Sequence, residues 1–326
     1  MPNRADLVLE GGGVRGFGAA GAVIRLLEEG YTFPRVAGTS VGAIVAAFTA
    51  AGMSAGHLRD LIERLDLRRI PDRYPPPVPF LSEGLALWTR RGAYRGDWIH
   101  NFIGEELAAL GVETFGDLRR EDSGADPATY PQQSYKLVVM ATDITHGRLL
   151  RLPWDYHRFH LPPDEQLVAD AVRASLSIPF YFRPRTLTDR ETGETSVLVD
   201  GGVLSNFAIE CFDRTDGKEA RWPTFGVRII PDLPESIGQL FPVLSLVMSP
   251  PLRLLQEVVS TGLVGHDQTH LDRPGVRDRC MTVDCSGVCI TDFTLGKEGR
   301  SALLDMGLQA ADDFLLEWRK RHPDGP

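Results

Sequence analysis

The sequence predicts an α/β fold on a mostly parallel sheet, and three observations carry that expectation. Short apolar runs alternate with stretches of helical periodicity from the start of the chain. Two of the runs, Leu7-Val8-Leu9 and Val36-Ala37-Gly38, flank a single helical stretch. That is a βαβ unit, in which parallel strands are joined by a right-handed crossover. Each of these two strands then runs into a glycine-rich turn, and parallel strands place both turns at the same C-terminal edge.

The elements follow in order. Leu7-Val8-Leu9 is continuously apolar, as a buried strand is, and stops at Glu10. The next helix extends to about Glu29, with Ala20, Val23, Ile24 and Leu27 on its buried face and Gly30 ending it. Val36-Ala37-Gly38 is the second strand, and a helix follows from Val41. Residues 53–67 predict another helix, with Leu58, Leu61, Ile62 and Leu65 at helical spacing. Residues 70–95 differ in kind: Pro71, Pro75, Pro76, Pro77 and Pro79 precede Phe80, Leu81, Leu85, Leu87 and Trp88, then Arg90, Arg91 and Arg95. Two readings stand there, a Pro-rich connection with a short packed helix, or a lid that touches lipid through apolar residues with a basic fringe.

Residues 97–110 form an amphipathic helix carrying Trp98, Phe102 and Leu107, and the polar stretch 121–133 is a surface loop. Residues 137–141 are a central strand, after which Asp143 ties down a turn. Residues 167–175 are a helix, followed by a hairpin region with its tip at 189–194. Val197-Leu198-Val199 is a strand that ends in Asp200-Gly201-Gly202. Residues 225–230 and 280–285 supply the remaining strands, 231–270 helices and loops including 251–263, and 297–320 a long terminal helix.

Composition narrows the function classes. The chain has 326 residues, enough for one large or two ordinary domains, and its 43% hydrophobic and 24% charged content suits a soluble globular protein; no linker clearly divides it, so a single domain spanning 1–326 is expected. A net charge of −9 argues against a nucleic-acid partner held through phosphates and against simple electrostatic docking on anionic lipid. Met1 to Asp6 show no signal-peptide pattern, so the expected location is cytoplasmic, with peripheral membrane contact allowed. The longest mainly apolar run, 41–53, is too short to span a bilayer. Cys280, Cys285 and Cys289 lie close together, but no C-x-x-C pair or histidine at ligand spacing accompanies them. They read as buried reduced thiols, and no metal is expected.

The candidate chemistry gathers at the turns. Gly38-Thr39-Ser40-Val41-Gly42 fits G-x-S-x-G, the nucleophile elbow that lifts a serine clear of the sheet on a strand-to-helix bend. Gly38 and Gly42 lack Cβ atoms, so strand and helix can approach closely. The plainer alternative makes Thr39-Ser40 an ordinary N-cap. Gly11-Gly12-Gly13-Val14-Arg15-Gly16 also fits G-x-G-x-x-G, a dinucleotide loop. A dinucleotide site expects a carboxylate at the end of the second strand, and here that strand ends in Gly38-Thr39-Ser40. The other use of such N–H groups is to cradle the oxyanion of acyl transfer. Asp200 is either a turn residue or a carboxylate delivered to the edge that bears Ser40.

With these motifs in place, the sequence resembles the patatin-like phospholipases. The family's G-G-G-x-R-G loop, G-T-S-x-G elbow and D-G-G motif match residues 11–16, 38–42 and 200–202, in the family's order. Ala174-Ser175-x-Ser177-x-Pro179 with Phe180 matches a further family segment, and Asn206 stands where the family often has Asn. Ala208 replaces a proline that the family usually carries. The resemblance implies a three-layer α/β/α sandwich and a Ser40–Asp200 dyad in place of a triad. It implies an oxyanion hole at Gly11, Gly12, Gly13, Arg15 and Gly16, with Gly201 and Gly202 as the turn after the base. It implies a lipid ester or phospholipid substrate and no cofactor. Arg15 is open to two roles, positive potential beside the loop or a surface charge at a helix start. A carboxylate of ordinary pKa, about 3.9, is a weak base for serine, so Asp200 needs a desolvated pocket. Two rivals remain, a Ser-His-Asp α/β-hydrolase using His266, His270 or His322, and a nucleotide- or lipid-binding module without turnover.

Overall fold

The computed structural model describes residues 3–75, 81–120, 134–230, 274–288, 290 and 292–323. The surface loop expected at 121–133, the helices expected within 231–270, Phe80, Cys289, His266 and His270 lie outside the described residues.

Strand β1, Asp6–Leu9, is followed by helix α1, Gly16–Glu28. Strand β2, Val36–Thr39, runs into α2, Val41–Ala50, and α3, Ala55–Arg64. Helix α4, Leu81–Arg90, strand β3, Gly92–Tyr94, and helix α5, Asp97–Ala109, come next. Strands β4, Leu137–Asp143, and β5, Arg148–Leu152, precede α6, Val168–Ser175. Strands β6, Phe180–Phe182, β7, Arg185–Thr188, and β8, Thr195–Asp200, follow. Strands β9, Thr224–Ile230, and β10, Cys280–Asp284, and helix α7, Lys297–Arg321, complete the labelled elements.

The central sheet has the order β10-β9-β1-β2-β4-β8-β7, with β5 also paired to β4. The run from β10 to β4 is parallel, while β8, β7 and β5 pair antiparallel. Leu7 lies opposite Val36 and Gly38 opposite Val139, so β1, β2 and β4 end at one edge. Every residue of these three strands is buried, as a sheet covered on both faces requires. The coverage is visible at β9. The Phe225 ring meets Phe314 and Trp318 of α7 at 5.0 and 4.9 Å between ring centres. The next residue, Gly226, faces the opposite way, toward Phe207 and Ile209. Helices and short helical segments thus sandwich the sheet.

The segment 70–95 contributes α4, with Ser82, Glu83, Ala86 and Leu87 buried. The buried Glu83 carboxylate accepts from Arg73 Nε at 2.7 Å and from the Ser82 hydroxyl at 2.9 Å. Strand β3 then pairs in parallel with β6, Gly92 opposite Phe180. Leu85 points outward and is 63% exposed. Asp143 does tie down its turn: it accepts from the N–H groups of Thr145 and His146. Arg148 and the Ser196 hydroxyl also reach its second oxygen. No helix among the described residues is long and apolar enough to cross a membrane.

Candidate active site

Ser40 joins β2 to α2 at φ 53° and ψ −129°. A non-glycine residue in that region costs on the order of 1–3 kcal/mol, so neighbours must hold it. Its N–H donates to Ser175 Oγ at 2.8 Å, and its carbonyl accepts the Ala43 N–H at 2.9 Å. The bend is too tight for side chains on either flank. A Cβ on Gly42 would lie 2.5 Å from the Glu10 carbonyl oxygen, and one on Gly38 would lie 2.6 Å from the Gly42 carbonyl carbon. Ser40 itself is buried.

Asp200 reaches Ser40 by a route that the sequence did not reveal. Strand β8 runs antiparallel to β4 and places Asp200 opposite Ala141. Thr39 lies opposite Met140 on the same side of β4, since β5 takes the other, so β2 ends where β8 ends and the next residue, Ser40, meets Asp200. The carboxylate therefore arrives from beyond the sheet edge. The Asp200 N–H donates to the Ser177 carbonyl at 2.9 Å, and Oδ1 accepts the Gly202 N–H at 2.9 Å. Burial pushes the Asp200 pKa up to about 7, against the opposing pull of the Gly202 N–H and the Ser40 hydroxyl. That hydroxyl favours the carboxylate without forming a hydrogen bond to it. The buried Oδ2 consequently has no hydrogen-bond partner of good geometry.

The glycine loop lies against this pair. A Cβ on Gly11 would sit 3.1 Å from Ser40 Cβ. Asn206 clasps Gly11 from both sides: its carbonyl accepts the Gly11 N–H at 3.2 Å and its Nδ2 donates to the Gly11 carbonyl at 2.9 Å. Glu10, which ends β1, turns its carboxylate inward to accept the Ile229 N–H at 2.5 Å. The Val14 N–H donates to the Ile290 carbonyl at 2.9 Å, whereas the Gly12 and Gly13 N–H groups form no hydrogen bond among the described residues. Gly16 opens α1, and Gly201 and Gly202 begin the short helical turn after β8. Arg15 is not a surface charge at a helix start. It is buried, and its Nε donates to the Val288 carbonyl at 2.6 Å.

An apolar slot opens beside the loop, between α1, α2, α3 and α5. Val14, Val41, Phe48, Leu61, Ile99 and Phe293 are among its walls, and none of its lining side chains is polar. It is narrow, about 70 Å³ in volume. Val41 and Phe48 are seven positions apart on α2, so the slot follows that helix for about 10 Å from the residue next to Ser40.

Among the described residues no histidine is hydrogen-bonded to Ser40 or Asp200. His322 stacks on Trp318 with ring centres 3.9 Å apart. No group of three or more His, Cys, Asp or Glu among the described residues could hold a metal ion. The roles of Ser175, Ser177 and Glu10 escaped the sequence reading. Ser175 and Ser177 stood in a recognised motif that named no contact, and Glu10 registered only as the end of a strand.

The fold and these motifs define the class: the chain belongs to the patatin-like phospholipase family, whose sequence model matches residues 7–213. That membership assigns it broadly to the lipid hydrolases. The uncharacterized protein YqhO of Bacillus subtilis (strain 168) is 35% identical over 318 residues, covering 96% of this chain and 98% of that one. An uncharacterized NTE family protein of Mycobacterium tuberculosis, MT2641, is 31% identical across 65% of this chain, which spans only 29% of the mycobacterial protein. Among solved structures, VipD of Legionella pneumophila superposes with a TM-score of 0.53 at 19% identity, over 96% of this chain and 67% of VipD. ExoU of Pseudomonas aeruginosa, solved with SpcU, gives 0.52 at 19% identity, over 97% of this chain and 52% of the other. These two likenesses are of fold.

The raised Asp200 pKa has a consequence for stability. The unfolded carboxyl titrates near about 3.9, so between there and about 7 the folded state keeps a proton that the unfolded state releases. Its contribution is complete below the unfolded pKa and is lost as pH rises through 7. Asp200→Asn cannot ionise. Its melting temperature relative to wild type is expected to be near zero difference at pH 4 and to become clearly higher by pH 8. An equal difference at both pH values would contradict a buried carboxylate at this position.

Proposed function

We propose that the protein is a serine-dependent carboxylic ester hydrolase acting on lipid esters, of the phospholipase A or lysophospholipase type, with Ser40 and Asp200 as a catalytic dyad. The observation that carries this reading is the buried Asp200 carboxyl, with a pKa near 7, facing a strained serine. A base poised near the working pH is an efficient acceptor for the serine proton.

In this mechanism Ser40 Oγ attacks the ester carbonyl carbon as its proton passes to Asp200. The carbonyl oxygen becomes an oxyanion, and the Gly12 and Gly13 N–H groups are the donors at hand. Asp200 returns the proton to the departing alcohol. It then takes a proton from water as that water attacks the acyl-serine, and passes the proton to Ser40 Oγ as the Oγ–acyl bond breaks and the fatty acid leaves. No step calls for a cofactor. The apolar slot beside Val41 is the proposed seat of the acyl chain. We also assign the 70–95 segment to lipid contact within one domain, since Leu85, Arg90 and Arg91 on it are all exposed.

Labelling with a fluorophosphonate probe tests the dyad. Wild type is expected to label at Ser40, with Ser40→Ala and Asp200→Asn folded but silent. The wild-type rate is expected to rise with pH and to be about a tenth of its plateau at pH 6, since only that fraction of a group of pKa 7 is ionised. Labelling that survives Asp200→Asn but is lost in His266→Ala or His270→Ala would replace the dyad by a triad. A folded wild type silent even with lipid vesicles present would point to a binding module.

The slot generates a second expectation. Ile44→Trp, which places bulk in it, is expected to lower kcat/KM for a decanoyl ester about tenfold while sparing an acetyl ester. Equal loss on both esters would dissociate the slot from the acyl chain. For the flap, Leu85→Asp is expected to reduce cosedimentation with phosphatidylcholine vesicles while leaving fluorophosphonate labelling in solution unchanged. Unchanged cosedimentation would remove the flap from lipid contact.

A further inference from the structure

Ser40 and Asp200 stand on strands that form no ladder with each other. Strand β5 pairs along one side of β4, and on the other side β2 pairs as far as Met140 and β8 from Ala141 onward, so β2 and β8 meet end to end where the two site residues lie. A single segment ties both strand ends. At the end of α6, Ser175 Oγ accepts the Ser40 N–H at 2.8 Å. Two residues later the Ser177 carbonyl accepts the Asp200 N–H at 2.9 Å. Both serines have no exposed surface.

The bridge is itself anchored. Ser177 Oγ accepts from Arg173 Nη1 at 2.8 Å and donates to the Arg173 carbonyl at 3.1 Å. The buried Arg173 guanidinium also donates to the carbonyls of Gly96 and Arg95, each at 2.8 Å, and of Arg183 at 3.2 Å. It lies 5.1 Å from the centre of the Phe182 ring. A fully charged arginine is costly to bury, and this one is spent on three backbone carbonyls from two segments and one serine. That fixes the C-terminal turn of α6 against the loops on either side.

We propose that Ser175 and Ser177 are positioning residues that set the distance between the Ser40 hydroxyl and the Asp200 carboxyl where β2 and β8 meet, with Arg173 as the post that holds them. The proposal rests on the Ser40–Asp200 reading above. Ser175 acts on the nucleophile through the strained elbow. Ser177 acts on the base through the backbone of β8. Small displacements of reacting groups cost up to about a hundredfold in rate, which is the scale expected here.

The test measures fluorophosphonate labelling of Ser40 per folded molecule, across pH, in Ser175→Ala, Ser177→Ala and Ser175→Cys. Ser196→Ala serves as the control, because it deletes a buried hydroxyl on β8 that bonds Asp143 instead. Ser175→Ala and Ser177→Ala are expected to label roughly 10- to 100-fold more slowly than Ser196→Ala, with Ser175→Cys, a weaker acceptor, in between. Ser177→Ala is also expected to move the midpoint of the pH profile below that of wild type, as the loosened carboxyl gains water. A purely structural role would slow the serine variants and the control alike and leave the midpoint in place, and that result overturns the clamp while leaving the dyad standing. Absence of wild-type labelling at Ser40 overturns the dyad and the clamp with it. Should Ser175→Ala not fold, Ser177→Ala and Ser175→Cys decide the matter by the same two readouts.

Discussion

Ser40 occupies a backbone conformation that serine disfavours, and much of the surrounding structure can be understood as what keeps it there. Such strain persists only where the surroundings prevent its relaxation. Hydrogen bonds hold both sides of the residue, one from the Ser40 N–H to Ser175 and one from Ala43 to the Ser40 carbonyl. Backbone crowding does the rest, since α2 enters so close to β1 that Gly42 touches the Glu10 and Leu9 carbonyls. The parallel register of β1 and β2 makes that crowding possible by bringing their ends level.

Burial of Asp200 is the second constraint, and it pulls in the opposite direction energetically. The fold forgoes stability above neutral pH by holding an ionisable group away from water with one oxygen lacking a formed hydrogen bond. Stability alone would favour a neutral side chain there. On the proposed reading, desolvation beside a serine brings the carboxyl nearer to a base able to take a hydroxyl proton than an ordinary aspartate is. The environment thus supplies what the residue type lacks, and no histidine among the described residues approaches the pair.

The elements legible in the sequence were those set by local pattern. The apolar runs of β1, β2 and β4 and the turn at Asp143 are written in contiguous residues, and so are the glycine loop and the elbow. The hairpin tip at 189–194 was legible too, because polar and glycine residues cluster there between β-prone runs. What failed to show was long-range. Arg148–Leu152 alternates too weakly to announce a strand, and it forms because β4 offers it an edge. Gly92–Tyr94 is three residues long and exists through pairing with β6. The direction of β8 depends on the path of the chain and not on its own residues. Arg15 sits at a helix start like many exposed arginines, yet the segment at Val288 folds over it. Ser175 was recognised by motif, but its partner is 135 positions away.

The family match ends at residue 213, while the loop within it is shaped by residues beyond that limit. The Glu10 carboxylate is fixed by the N–H of Ile229 on β9, the Val14 N–H by the Ile290 carbonyl, and the Arg15 side chain by the Val288 carbonyl. Helix α7 then packs Phe314 and Trp318 onto Phe225, holding β9 in the sheet beside β1. The motif therefore supplies the glycines of the loop, and the C-terminal part of the chain holds the residues on either side of them. A relative can share the G-G-G-x-R-G sequence and still differ in how its N–H groups are presented, if its β9, β10 and terminal helix differ. This explains why a region without a distinctive motif is structurally inseparable from the loop: three of the contacts that shape residues 10–15 come from residues 229–290.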